Sequence, residues 1–455
     1  MTKDLTVGKP LKIIINYMIP VFLGLVLQQA YNLVDTVVIG RFEGANALGG
    51  VGAASSLCLI VLGSTSGLCS GFCVPISNAF GAKEDTRLRQ YLAHAIYLSA
   101  AVTVILMFVF LTFCGPILKL MKTPEDNFQY AYEYVQVYFM GIPFAVLYNL
   151  TSGIIRALGD SKTPLYFLVI SSVCNIVLDL AFVVGLHKGV AGAALATLIS
   201  QGIAGIACLI YMIKKLPILH FRPGDRKWST AHALHMLSNG VPLALQYCVT
   251  FIGTMAMQVA INDLGSVYVN AVAVTNKINA LMNCTFNAIG PSMANFVGQN
   301  VGARRMDRVR SGLKVGILVS VVFSVLYIVL AAFFTPQLTR LFLKAAEAAP
   351  LEGYVRQYLM TMGCFSVLIG LIISHRFTMQ GMGYSKLTVF SGLLELTARL
   401  LTAAFLVPAL GYVGVCFGAP LAWVFASCFV VPMAYVCLNR LTKKQASEAL
   451  AQTGS

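Results

Sequence analysis

Apolar runs close to 20 residues long follow one another along the whole chain, separated by short polar turns. A helix rises 1.5 Å per residue, so each run can cross about 30 Å of hydrocarbon. The pattern predicts twelve membrane-spanning helices, at roughly 13–40, 46–78, 91–114, 129–154, 163–186, 190–213, 235–261, 267–299, 313–334, 354–381, 387–408 and 412–438. The pattern also repeats. ISNAFGAKEDTRLRQYL at Ile76–Leu92 and VGQNVGARRMDRVRSGL at Val297–Leu313 each follow two apolar runs and carry a Gly-Ala-Lys/Arg turn, 221 residues apart. Pro20 and Pro242 keep almost that offset, and LGDSK at Leu158–Lys162 matches MGYSK at Met382–Lys386 at 224. An even number of spans in each copy gives both the same orientation. The expected fold is an all-α integral membrane protein, with twelve transmembrane helices in two six-helix bundles related by a parallel internal repeat.

This division sets the domains. Residues 1–213 form an N-terminal half with helices 1–6, and residues 230–440 a C-terminal half with helices 7–12. Between them, KKLPILHFRPGDRKWS at 214–229 is the longest polar stretch and reads as a linker, and 441–455 reads as a short tail expected to fray.

Composition agrees with the membrane reading and removes others. Hydrophobic residues make up 58% of the 455 and charged residues 11%, against about 25% charged in soluble domains. The formal charge of +15 would suggest nucleic acid in a soluble protein, but its placement argues otherwise. With the N-terminus inside, twenty-two basic residues fall on the inner side and seven outside, Lys122 and Lys344 among the seven; Lys277, Arg376 and Arg399 lie within spans. That asymmetry is the positive-inside bias of a multi-pass protein with both termini cytoplasmic, and it excludes nucleic-acid binding. All twelve cysteines lie in apolar segments without metal-type spacing, so no disulfide and no metal centre is expected.

Polar atoms inside apolar helices then carry the chemistry. Asp35 shares a face of the first span with Gln28, Tyr31 and Asn32. It is either a boundary residue reaching water or a cation or proton site lining a cavity. An Asp at a span centre costs ~2.5–3.5 kcal/mol on insertion scales, which is rarely spent without use. Asp179 continues a stripe through Ser171 and Asn175 at four-residue spacing, and the sixth span adds Thr197 and Gln201 one turn apart. Where these faces meet, two carboxylates in a low dielectric cannot both ionise freely, so one holds a proton unless a cation replaces it. Polar glue between helices is the alternative.

The C-terminal half carries amides and hydroxyls instead. Gln246, Thr250, Thr254, Gln258 and Asn262 recur every fourth residue in the seventh span, and Thr275, Asn279, Asn283 and Asn287 in the eighth. Such stripes suit a water-accessible cavity that contacts varied ligands, or hydrogen bonding between helices. Lys277 stands beside the second stripe as an intramembrane cation. Glu395 and Arg399, one turn apart, read as a self-neutralising pair with a coupling role as the alternative, whereas His375 and Arg376 lie near a span end where Arg can reach headgroups. Met360, Met362, Met379 and Met382 offer adaptable packing. Pro20 interrupts the first helix 15 residues before Asp35 and is either a hinge or a passive kink.

IPVFLGLVLQQAYNLVDTVVIG at Ile19–Gly40, ALGGVGAASS at Ala47–Ser56, NAFGAK at Asn78–Lys83 and GQNVGA at Gly298–Ala303 resemble, in order and spacing, multidrug and toxic compound extrusion (MATE) transporters. The resemblance covers essentially the whole chain and is greatest to the prokaryotic DinF-like branch. In that branch a cation site uses an Asp on helix 1, an Asn and an Asp one turn apart on helix 5 and a Thr on helix 6. Asp35, Asn175, Asp179 and Thr197 match this pattern. The resemblance implies that H⁺ or Na⁺ at the site bends helix 1 and drives outward release of an organic cation. Additional acids of the NorM-like branch are missing, since the matching regions hold Gln246, Gln258, His375 and Arg376.

The expected protein is therefore not an enzyme. It is an H⁺- or Na⁺-coupled antiporter of a prokaryotic cell membrane, without a resident cofactor and monomeric, exporting amphipathic organic cations by alternating access between the halves. A lipid-linked oligosaccharide or lipid II flippase of the same superfamily is the alternative. An intramembrane aspartyl protease lacks its Gly-x-Gly-Asp signature here, and no channel filter recurs.

Overall fold

The computed structural model describes residues 3–121, 125–343 and 345–453; Lys122 and Lys344, counted above, lie outside them. The chain is a succession of helices: α1 (Pro10–Phe42), α2 (Ala45–Gly81), α3 (Asp85–Leu120), α4 (Glu125–Met140), α5 (Ile142–Ala157), α6 (Lys162–Asp179), α7 (Gly189–Lys215), α8 (Thr230–Asn262), α9 (Ser266–Gly302), α10 (Met306–Phe333), α11 (Thr335–Arg340), α12 (Ala345–Ala348), α13 (Glu352–Gly381), α14 (Ser385–Leu401), α15 (Val407–Leu410), α16 (Tyr412–Cys416) and α17 (Gly418–Thr453). Among the described residues ten helical segments are long and apolar enough to cross a membrane, and α4 with α5 makes an eleventh span bent by 47°. The bend falls at Gly141, just before Pro143, whose ring removes one helix hydrogen bond. The remaining expected span is α9. It is 37 residues long, but its asparagines and Lys277 hold down its apolarity.

Two compact units divide the chain, Met1–Leu5 with Ile19–Ala244 and Thr6–Met18 with Leu245–Ser455. The chain thus passes between units inside α1 and α8, beside Pro20 and Pro242. In the second unit the start of α1 is held by Asn295, whose Nδ2 donates to the Tyr17 hydroxyl at 2.9 Å, and by Arg308, which donates to the Gly8 carbonyl at 2.8 Å. In the first unit the start of α8 lies on α2. A Cβ on Gly71 would come within 2.6 Å of the Asn239 carbonyl oxygen, so only glycine permits this backbone approach.

Duplication is written into the turns. Left-handed or otherwise positive φ recurs at matched places: Gly44 and Gly265 (87° and 105°), Lys83 and Arg304 (59° and 57°), Gly159 and Gly383 (87° and 85°), Gly189 and Gly411 (59° and 57°). At the first basic pair the chain closes α2 and α9 alike. The Glu84 N–H donates to the Ala79 carbonyl at 3.0 Å, and the Arg305 N–H to that of Asn300 at 2.8 Å. Asp85 and Asp307 then open the following helices, where their charge faces the positive end of the dipole.

The 214–229 linker is pinned to the first unit. Arg89 on α3 donates through Nε to Asp225 Oδ2 at 2.5 Å, and both side chains are buried. The His94 ring bonds the Gln90 carbonyl through Nδ1 at 2.7 Å, which places its proton there and leaves Nε2 to accept the Ser229 N–H at 2.9 Å. The tail differs from expectation. Instead of fraying it continues α17 to Thr453, with Gln445 donating to the Val301 carbonyl at 3.2 Å and Glu448 3.7 Å from Arg304.

Candidate functional site

In the first unit, α1 and α6 bring the Asp35 and Asp179 carboxyl groups within interaction range of each other. Asp179 is fully buried and Asn175, one turn earlier on the same face, nearly so. Asp35 Oδ1, both carboxylate oxygens of Asp179 and both amide atoms of Asn175 are buried without a hydrogen-bond partner. Ionised carboxylates only accept, so the two acids face each other with no donor between them. A shared proton supplies the missing donor, and a hard cation supplies the missing charge through oxygen contacts. The residues present therefore fit either ion.

The backbone around the acids is irregular for a reason. Directly after Asp179 the helix widens into a π-helical segment, Leu180–Gly185, in which the Leu186 N–H reaches five residues back to the Ala181 carbonyl at 2.9 Å. Such bulges swing the following side chains around the axis. Here they bring Val183 into a small apolar cluster with Val38, Ile39, Ala47, Val190 and Ala193, with Val34 and Tyr134 packed against it. Val34 and Val38 flank Asp35, and Val183 lies one turn beyond Asp179. The acids thus have an apolar plug on one side. The second half repeats the π segment at Thr402–Leu406, without the carboxylate.

The other residues expected here separate. Ser171 donates to the Ser200 carbonyl at 2.7 Å, which ties α6 to α7. Thr197 donates to the Ala193 carbonyl at 3.2 Å and, with Gln201, Thr65 and Tyr138, lines a cavity of ≈ 20 Å³, room for about one water. Gln28 and Tyr31 are half-buried, and Asn32 is exposed. Pro20 lies within an unbroken α1.

The C-terminal stripes are less uniform than their spacing implied. On α8, Thr250 and Thr254 donate to carbonyls one turn back, at 3.0 Å each, and Gln258 donates to Asn262 at 2.9 Å. Gln246 is buried with Oε1 unpartnered. On α9 the stripe turns from Thr275 and Asn279, both buried, through half-buried Asn283 to exposed Asn287. Four residues advance about 400° around a helix, so a strict i+4 row drifts about 40° per step. Asn279 accepts a short hydrogen bond from the Tyr327 hydroxyl, an anchor inside the bundle. Lys277 is exposed, with Nζ 6.0 Å from the centre of the Phe342 ring. Met362, Met379 and Met382 are core.

Arg376 is the principal correction. It does not reach toward headgroups. It is buried on α13 and makes a short ion pair with Glu395 of α14. Arg399, expected to neutralise Glu395 alone, stands 3.9 Å from it and donates through NH1 to the Thr250 carbonyl at 3.0 Å. The pair is thus a triad, with Arg376 and Glu395 buried and Arg399 half-buried. Linear spacing pointed to the residue one turn away on the same helix and was silent on the neighbouring helix. Tyr134 and the apolar plug were missed for the same reason, although Tyr134 and Tyr138 at i, i+4 hinted at a shared face.

A family profile described as MatE matches residues 20–181 and 242–405, one copy in each half. The Bacillus subtilis (strain 168) protein named probable multidrug resistance protein YpnP is 30% identical over 426 residues, 93% of this chain and 95% of its own. The multidrug export protein MepA of Staphylococcus haemolyticus (strain JCSC1435) is 22% identical over 96% of each chain. Among solved structures, a MATE protein in complex with MaL6 superposes with a TM-score of 0.90 at 22% identity, covering 97% of this chain and 100% of that one. One profile matched in both halves and a relative matched along nearly its whole length place this chain in the MatE family of multi-pass membrane transporters, the MATE multidrug efflux proteins.

Proposed function

We propose that this protein exports amphipathic organic compounds, organic cations among them, in exchange for H⁺ or Na⁺ moving down its gradient through the Asp35–Asp179 site. The observation that carries the proposal is the fully buried Asp179 carboxyl group meeting that of half-buried Asp35 without a donor, with Asn175 beside them equally unpartnered. An ion that completes this set in one state of the transporter and not in the other does work on the substrate, because exchange needs only a difference in affinity between two states. Thr197 on α7 is the neutral oxygen that joins the set when the plug rearranges. Export agrees with the name of MepA, and multidrug substrates with the names of both YpnP and MepA. The charge asymmetry supports a cytoplasmic position for both termini, and the transporting unit in this reading is the monomer.

The test is ethidium efflux from energised bacterial cells lacking their own pumps, wild type against Asp35→Asn at matched expression. Efflux by wild type that is lost in the variant supports coupling at this site, and varying Na⁺ at constant pH then separates the two ions. Equal efflux by both proteins removes Asp35 from the mechanism. No efflux by well-expressed wild type points to other substrates, flipped lipids first.

A further inference from the structure

The triad of Arg376, Glu395 and Arg399 holds two guanidinium groups and one carboxylate in the second unit, with Arg376 and Glu395 buried and Arg399 half-buried. One positive charge is therefore left over. A charge held away from water without a counterion is costly. Two further atoms are left open beside it. Arg376 Nε is a buried donor without an acceptor, and Gln246 Oε1 is a buried amide oxygen without a donor. Gln246 belongs to the same place: a Cβ on Gly392, one turn before Glu395, would sit 3.4 Å from its Cγ, and Arg399 bonds the backbone one turn further along α8. Tyr247, next along α8 and 38% exposed, lies near Arg376.

We infer that Arg376 and Arg399, with Glu395 between them and Gln246 alongside, form a subsite for a single carboxylate on the exported compound. The inference rests on the exporter reading and names its substrate class: amphipaths with a carboxylate as well as, or in place of, a cationic group. Each feature has a use in it. A monoanion balances the one excess charge, the Arg376 Nε–H gains an acceptor, and rotation of the Gln246 amide turns its N–H₂ toward the same oxygen. Arg399 contributes charge at one remove, since its NH1 is already engaged. Glu395 positions Arg376 and keeps the site from retaining the anion. A phosphate dianion would overshoot the excess, and a purely cationic compound would make no use of this subsite.

The probes are rhodamine 110, which carries a free carboxylate, and rhodamine 123, its methyl ester. The two differ in one charge and one methyl. Binding of both to the purified full-length protein is followed by fluorescence polarisation. Wild type is expected to favour the acid, and Arg399→Gln, which removes the excess charge, to lower the acid-to-ester affinity ratio by about tenfold. Gln246→Glu guards against simple misfolding. It supplies the missing negative charge from the protein, so it should raise thermal stability and still abolish the preference for the acid. Equal affinity of wild type for the two dyes, including binding of neither, overturns the inference. So does a ratio unchanged by both substitutions. Efflux in cells is scored separately: its absence counts against the exporter reading, whereas the affinity ratio alone decides the subsite.

Discussion

Arg376 reaches Glu395 across from a neighbouring helix, while Arg399, one turn away on Glu395's own helix, stands off at 3.9 Å. The energetic consequence is unequal. Glu395→Gln leaves the buried Arg376 guanidinium, with half-buried Arg399 beside it, without a counterion and should cost about 3–5 kcal/mol. Arg399→Gln removes the excess charge and should be neutral or stabilising. Thermal unfolding of the purified variants checks the order; equal losses would mean that Arg399 is as tightly paired as Arg376.

Asp179→Asn acts the other way on the first unit. A neutral amide brings its own donor to face Asp35, so a buried pair of acceptors becomes a hydrogen bond. The variant should insert normally and gain about 1 kcal/mol, while coupled export is lost. A lower melting temperature than wild type would show that the carboxylate is already satisfied in the folded protein.

Asp225 lies in the linker, outside the spans. Burial alone would push its carboxyl up, but the Arg222 N–H and the Arg89 guanidinium outweigh it and hold the group below the ordinary carboxylate range. A depressed folded value means that the stabilisation is complete above the unfolded pKa, about 3.9, and fades as pH falls below it. Asp225→Asn should therefore cost about 1.5–3 kcal/mol near neutral pH, and the gap to wild type should close under strong acid. A gap that stays constant to pH 2 would assign the loss to packing.

Lys83 and Arg304 hold left-handed backbone that glycine adopts at no steric cost. Lys83→Gly and Arg304→Gly should each gain up to about 1 kcal/mol, in parallel, because the two turns are copies. Loss of stability in both would show that the side chains make contacts worth more than the strain.

Much of this protein was legible without coordinates because membranes impose simple rules on sequence. Hydrocarbon demands long apolar helices, so spans can be counted by length alone, and a duplicated chain repeats its turn residues, so Pro20 and Pro242 or Lys83 and Arg304 find each other by offset. Intramembrane carboxylates are expensive enough that Asp35 and Asp179 stand out from the composition itself.

What spacing along one helix could not supply is the partner on another. Local hydrophobicity and cost alone set the helices and their repeat and singled out the intramembrane acids. Tertiary structure decided that Asp35 meets Asp179, that Arg376 rather than Arg399 takes Glu395, that the α9 stripe winds out of the core, and that the linker is clipped at Asp225. Those pairings depend on how helices distant in sequence rotate about their axes and cross, and that is set by side-chain packing over the whole bundle, not by any one segment.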